Sequence, residues 1–160
     1  MKEIKNPRSR EAQGTRAGFV SQAISMVLDA AWILFEYFVL LVVFGIVRGL
    51  FTSSNFAVPK PPTWASIVAL FVIGVATWEA AWSGSGRAPG MGVLGLRVVA
   101  ADGSALSPRR AFWRSVIVTA TLGLLVVTTL FSRTNRSWYD KWCGSAVVYD
   151  WRPAGPVVSS

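Results

Sequence analysis

The sequence predicts an all-α membrane protein of two to three transmembrane helices, with a short β-hairpin in the connection between helices 2 and 3. Three observations carry that expectation. Charged residues make up only 15% of the 160-residue chain, against about a quarter in soluble domains. The apolar residues are gathered into three long runs, and the basic residues cluster beside those runs.

The first run extends from Ala23 to Ile46. A helix of that length rises ~36 Å, enough to cross a ~30 Å hydrocarbon core with some tilt. Two acids interrupt it, Asp29 and Glu36, with AAWILF between them and YFVLLVVFG after. The second run, Trp64 to Trp82, follows the helix-stopping Pro59-Lys60-Pro61-Pro62 and carries a tryptophan at each end, as expected of a span with interfacial anchors. The third, Ser115 to Phe131, has Gly123 in its middle and lies at the short end of the spanning range.

Two readings of that third run stay open. If it spans, the N-terminal tail shares a side with residues 83–114, and ten of the sixteen basic residues lie there. If it turns back, Arg133, Arg136, Lys141 and Arg152 join them, leaving only Arg48 and Lys60 opposite. The positive-inside rule favours the return. Insertion favours a straight span, because bending leaves backbone polar groups unpaired in hydrocarbon.

Connection 2–3 contains Gly90-Met91-Gly92-Val93-Leu94-Gly95-Leu96-Arg97-Val98-Val99-Ala100, then Asp102-Gly103. A Val-rich run ending on Asp-Gly reads as a β-hairpin. Gly90, Gly92 and Gly95 have the spacing of a dinucleotide-binding loop, but they precede the strand, so they read as loop glycines. Ser107-Pro108 then supplies a cap and a first-turn proline, placing Arg109, Arg110 and Arg114 on a new helix. With Arg97 and Arg136, these are expected to meet lipid head groups or a polar network.

The first apolar run is about twice the length of a signal-peptide core and no cleavage pattern follows it, so it reads as an uncleaved anchor. Gly45/Gly49 and Ser21/Ser25 have small-residue spacing that lets helices approach closely.

Function classes narrow quickly. The chain has no histidine and one cysteine, Cys143, which removes Cys/His metal sites, histidine-dependent triads and an internal disulfide. No nucleophile motif or acid cluster is present, so no enzyme, cofactor or metal is expected. A net charge of +8 is explained by anionic lipid without a nucleic-acid partner.

The acids inside the spans are the candidate functional residues. A carboxylate at a helix centre costs roughly 2.5–3.5 kcal/mol on insertion scales and is retained where something offsets it. Asp29 and Glu36, seven apart, fall within about 20° of one helix face. Glu79 lies near the end of the second run. All three are candidate ion- or proton-binding groups. Arg16 is ~20 Å from Asp29 along a continuous helix, so Asp29 needs a partner from another segment or subunit.

Arg16-Ala17-Gly18-Phe19, then Asp29, then Arg136-Ser137-Trp138-Tyr139-Asp140 resemble, in order and spacing, the RDD family of membrane proteins. Pro89-Gly90, Gly95-Leu96-Arg97-Val98-Val99, Asp102-Gly103 and Arg114 resemble its middle segment. The resemblance runs from Arg16 to Val148. It implies that Arg16, Asp29 and Asp140 are the signature arginine and two aspartates. It also implies a domain over 16–148 with spans near 23–46, 64–82 and 115–131, between a basic tail at 1–15 and a C-terminal tail at 149–160. Where that family often has Thr and Lys around Pro-Gly, this chain has Ala88 and Met91.

Two functions follow as expectations. One is an oligomeric component of cation/proton or small-ligand transport using the intramembrane carboxylates. The other is a non-catalytic scaffold or accessory subunit that binds partner proteins through its polar helix face. Either sits in the cell membrane as a multi-pass protein with a cytoplasmic N-terminus, in contact with anionic lipid and as a homo-oligomer or part of a larger complex.

Overall fold

The structure is a computed structural model that describes residues 14–52, 57–122, 127 and 137–150. Its elements run α1 (Phe19–Thr52), α2 (Thr63–Ser83), α3 (Pro89–Val93), β1 (Leu96–Ala100), α4 (Pro108–Ala120), α5 (Trp138–Trp142) and β2 (Ser145–Tyr149). Two long helices carry a small cap of short helices and strands at one end.

Helices α1 and α2 are, among the described residues, the two long and apolar enough to cross a membrane. Helix α2 matches the expected second span to within a residue at each end. Helix α1 has 34 residues, ~51 Å, and overruns the expected span on both sides. The excess has a reason at each end. Its first turns carry Gln22 and Ser25, which are buried against the cap, and its last turns continue apolar through Leu50 and Phe51, both exposed. On α2 the buried residues Gly74, Trp78 and Trp82 recur every fourth position, giving one inward stripe, and the indoles of Trp78 and Trp82 stack at 5.6 Å, 4° from parallel.

The strand falls where expected, but the local hairpin does not form. Strand β1 pairs antiparallel with β2, from Leu96↔Tyr149 to Ala100↔Ser145. The Asp102-Gly103 turn is there: Gly103 has φ +86° and Ser104 donates to Asp102 Oδ1 from its N–H (3.0 Å) and hydroxyl (2.6 Å). These bonds hold the Asp102 carboxyl below its ordinary value. A return strand fails because α4 opens at Pro108, which lacks an N–H and commits the chain to a helix. The distant Ser-Ala-Val-Val-Tyr supplies the apolar partner instead.

Residues 14–17 run along the other edge of β2. Gly14 N–H donates to Tyr149 O (2.8 Å), Tyr149 N–H to Thr15 O (2.9 Å) and Ala17 N–H to Val147 O (2.9 Å). The entry to α1, β1 and β2 therefore lie at one end of the helix pair. These positions bear on the third run. Helix α4 starts seven residues before it at Pro108 and runs along α2 only to its middle, where a Cβ on Gly74 would meet Thr119 Cγ2 at 3.2 Å. Leu122 then takes a left-handed φ of 50°, and by Ser137 the chain is back at the cap. The rest of the expected span, apart from Val127, lies outside the described residues. The positions of β2 and of residues 14–17 match the returning alternative.

Candidate functional site

Helix α4 brings Arg114 under the cap at the level of Trp82. Its guanidinium carbon sits 4.1 Å from the Trp82 ring centroid and 5.0 Å from that of Tyr139, a cation between two aromatic faces. In its own plane it meets Asp140: Nη2 donates to Oδ1 at 2.9 Å and Nε to the same oxygen at 3.2 Å. Ser145 Oγ donates to that oxygen as well, at 2.8 Å. Both charged side chains are 0% exposed. A buried ion pair with this many supporting hydrogen bonds is the form in which two charges tolerate loss of water. Burial, and next the charge of Asp140, push the Tyr139 phenol up against the opposing pull of Arg114, so Tyr139 is a neutral wall of the site.

Asp29 forms the second centre, one face along α1. Its Oδ1 accepts the Gly90 N–H at 2.6 Å, clamping α3 onto the helix. The approach demands glycine: a Cβ on Gly90 would collide with the Ser25 carbonyl oxygen and reach 2.8 Å from Leu28 Cβ. Trp78 stands beside the carboxylate, and among the described residues neither Asp29 Oδ2 nor Trp78 Nε1 closes a hydrogen bond. Nearer the cap, Gln22 Nε2 donates to Ala17 O (2.8 Å), Ser25 Oγ to Gln22 O (2.8 Å), and Ser137 Oγ to Gln22 Oε1 (3.4 Å). Gln22, Ser25 and Asp29 thus form one polar stripe on which α3 and the start of α5 are seated.

The remaining expected residues disperse. Glu36 shares the Asp29 face as expected but lies in an open groove with Phe35, Val39, Leu40 and Ile73. Its carboxylate accepts from Trp32 Nε1 (2.7 Å) and Thr77 Oγ1 (2.6 Å), which joins α1 to α2. Glu79 is half-buried on α2, with no hydrogen bond or ion pair among the described residues. Arg16 is exposed at the edge of the sheet, bridged through its backbone to Val148. Arg97 and Arg87 converge on Asp150, at 3.4 and 2.9 Å. Arg109 and Arg110 are exposed on the first turn of α4. Arg136 lies outside the described residues. The arginine that meets Asp140 is therefore Arg114, which the sequence assigned to lipid head groups or a polar network, and the second of these is what the pair forms. Trp82 was expected only as an interfacial anchor, Gly90 only as a loop glycine and part of the family-like Pro-Gly, and Tyr139 only as part of the signature stretch. The Trp78–Trp82 spacing of four was the available signal for an inward aromatic stripe.

The Cys143 thiol is not activated by the neighbouring Lys141. Burial pushes its thiol up, with Arg114 opposing and Asp140 adding to the rise. Its alkylation by a maleimide at pH 8 is expected to run roughly tenfold or more slower in the folded protein than in denaturant. Equal rates would mean an open cap.

A family model described as RDD family matches residues 17–144. The match begins one residue after Arg16 and contains Asp29, Arg114 and Asp140. Comparison with curated proteins finds no match, and neither does comparison with solved structures.

Proposed function

Because this chain belongs to the RDD family, and its two apolar helices point to a membrane protein, we propose that it is a non-catalytic membrane scaffold. Helices α1 and α2 anchor a folded cap at the membrane surface and offer their apolar faces to further copies of the chain. The observation that carries this reading is the direction of the charges. Arg114 and Asp140 neutralise each other inside the cap, and Asp29 is spent on the Gly90 N–H. Outward, α1 presents Val27, Phe35, Phe38, Val43, Phe44 and Leu50, and α2 presents Ile67, Val68, Phe71 and Val72. In lipid, helix association is driven by packing and interhelical polar contacts, with no hydrophobic force between the helices.

The cap belongs on the cytoplasmic side. Among the described residues Arg16, Arg87, Arg97, Arg109, Arg110, Arg114 and Lys141 lie at the cap end, and Arg48 and Lys60 at the other. An excess of that size follows the positive-inside rule.

One observation favours the transport reading: Asp29 Oδ2, buried and without a hydrogen bond among the described residues, is an acceptor that a proton or cation could use. Against it, two helices do not enclose a path with two gates, so transport needs an oligomer. Proteoliposomes carrying wild type or Asp29→Asn separate the readings. The scaffold reading predicts no proton movement from either in response to Na⁺, K⁺ or Li⁺, with a particle mass in mild detergent well above one 17.4 kDa chain. Cation-driven proton movement by wild type that Asp29→Asn abolishes would overturn it.

A further inference from the structure

On the outer side of the cap, between α4 and α5, an open cavity of about 670 Å³ is lined by Ser107, Arg109, Arg110, Trp113, Ile117 and Trp142. Its position along the membrane normal follows from Arg114, which stacks on Trp82 one residue before α2 ends at Ser83. Arg110 and Arg109 precede Arg114 by four and five residues, about 6 and 7.5 Å further out. They therefore stand past the end of the apolar helix, at head-group depth.

The two guanidinium groups are not committed elsewhere. Neither makes an ion pair among the described residues, in contrast to Arg87, Arg97 and Arg114. Arg110 Nη1 reaches over Gly144 at 3.8 Å from where a Cβ would stand. Asp102, an acid within electrostatic reach of Arg110, has its Oδ1 held by Ser104. On either side Trp113 and Trp142 are exposed, and indole rings settle at the membrane interface, where one edge is apolar and the other wet. Deeper in the groove Ile117 continues the wall in apolar character, on the side facing the bilayer interior.

We propose that this groove is a binding site for an anionic glycerophospholipid, with its phosphate held by Arg109 and Arg110, its glycerol region between Trp113 and Trp142, and an acyl chain passing Ile117. Charge complementarity selects the class: guanidinium forks match phosphate oxygens, and a zwitterionic head group would set its own cation against two arginines. The site rests on the membrane reading of α1 and α2 and is independent of the scaffold role, so either stands if the other falls.

The test is native mass spectrometry of protein in neutral detergent, titrated with phosphatidylglycerol or with phosphatidylcholine of the same chains. Phosphatidylglycerol is expected to bind preferentially as one tight equivalent. The double variant Arg109→Gln/Arg110→Gln should weaken that equivalent about 30-fold, taking about fivefold for each arginine. Arg109→Lys/Arg110→Lys, which keeps the charge and removes the fork, should fall between. Arg97→Gln, the same loss of charge at the Asp150 pair, should leave it unchanged. Retention of the wild-type unfolding transition checks that each variant is folded. A photoactivatable phosphatidylglycerol should label α4 or α5 in the wild type. Equal weakening by Arg97→Gln, an unaffected double variant, labelling elsewhere, or displacement by glycerol 3-phosphate as strong as by the lipid would each overturn the proposal.

Discussion

Replacing Arg114 by leucine while Asp140 remains is expected to destabilise the protein by about 3–5 kcal/mol, because it leaves a carboxylate at 0% exposure without its cation. The loss should exceed what removing a surface arginine does, which is usually within about 0.5 kcal/mol. It also strips the aromatic walls of their centre, since Trp82 and Tyr139 both face the guanidinium. Asp140→Leu alone should be comparably damaging, for it strands the arginine. The double replacement Arg114→Leu/Asp140→Leu is expected to recover a large part of the loss, because neither charge of the pair then remains buried. Unfolding in mixed micelles for the four proteins of this cycle gives the coupling directly. Additive single effects would mean that the two side chains do not act as a pair.

The second large effect concerns Gly90. A methyl group there would press on the Ser25 carbonyl, stand 2.8 Å from Leu28 Cβ and 3.0 Å from Asp29 N. The backbone of α1 has no room to yield, so Gly90→Ala is expected to cost about 3 kcal/mol, at the upper end of overpacking. It should also break the Gly90–Asp29 hydrogen bond, with a carboxylate bond contributing about 1.5–3 kcal/mol. Gly92, two residues on in the same short helix, has nothing within 4 Å of its Cβ position. Gly92→Ala should lie within about 0.5 kcal/mol of wild type. The contrast is read from the same unfolding curves. Two equally harmful substitutions would place the effect in the propensity of α3 and not in its contact with α1.

These two positions also show what the sequence could and could not tell. Span positions were readable because hydrophobicity is a property of a single segment: α2 begins beside Pro62 and ends at Ser83, as composition alone indicated. Strand β1 and the Asp102-Gly103 turn were readable for the same reason, since alternation and turn chemistry are local. The partner of β1 was not, because antiparallel pairing with Ser145–Tyr149 depends on where α4 and the following chain lead. The third run shows the same limit. Its hydropathy suits a span, whereas the pairing of β2 with β1 and with residues 14–17 is a long-range contact that hydropathy does not encode. At the site, burial of Asp29 was foreseen from the cost of a carboxylate in an apolar helix, and a partner from another segment was required. That the partner is a backbone N–H of Gly90 escaped notice, because an amide donor leaves no mark in a sequence. Which arginine meets Asp140 was not readable for a related reason. Arg114 follows Arg109 and Arg110 on one polar-looking helix start, and only the helix phase separates the buried residue from its two exposed neighbours. The resemblance weighted Arg16, which the structure places at the sheet edge.

The central claim is that Asp29 is a fastener for α3 and not a site that exchanges ions. The Gly90 amide reports this directly, because its proton lies on the Asp29 carboxylate at 2.6 Å. Nuclear magnetic resonance of protein labelled with ¹⁵N-glycine resolves it among the 14 glycines by its loss in Asp29→Ala. The account predicts a strongly exchange-protected Gly90 amide whose chemical shift stays constant as Na⁺, K⁺ or Li⁺ is added. A shift that moves with one of these cations and saturates would contradict it, and would make Asp29 a cation-binding residue.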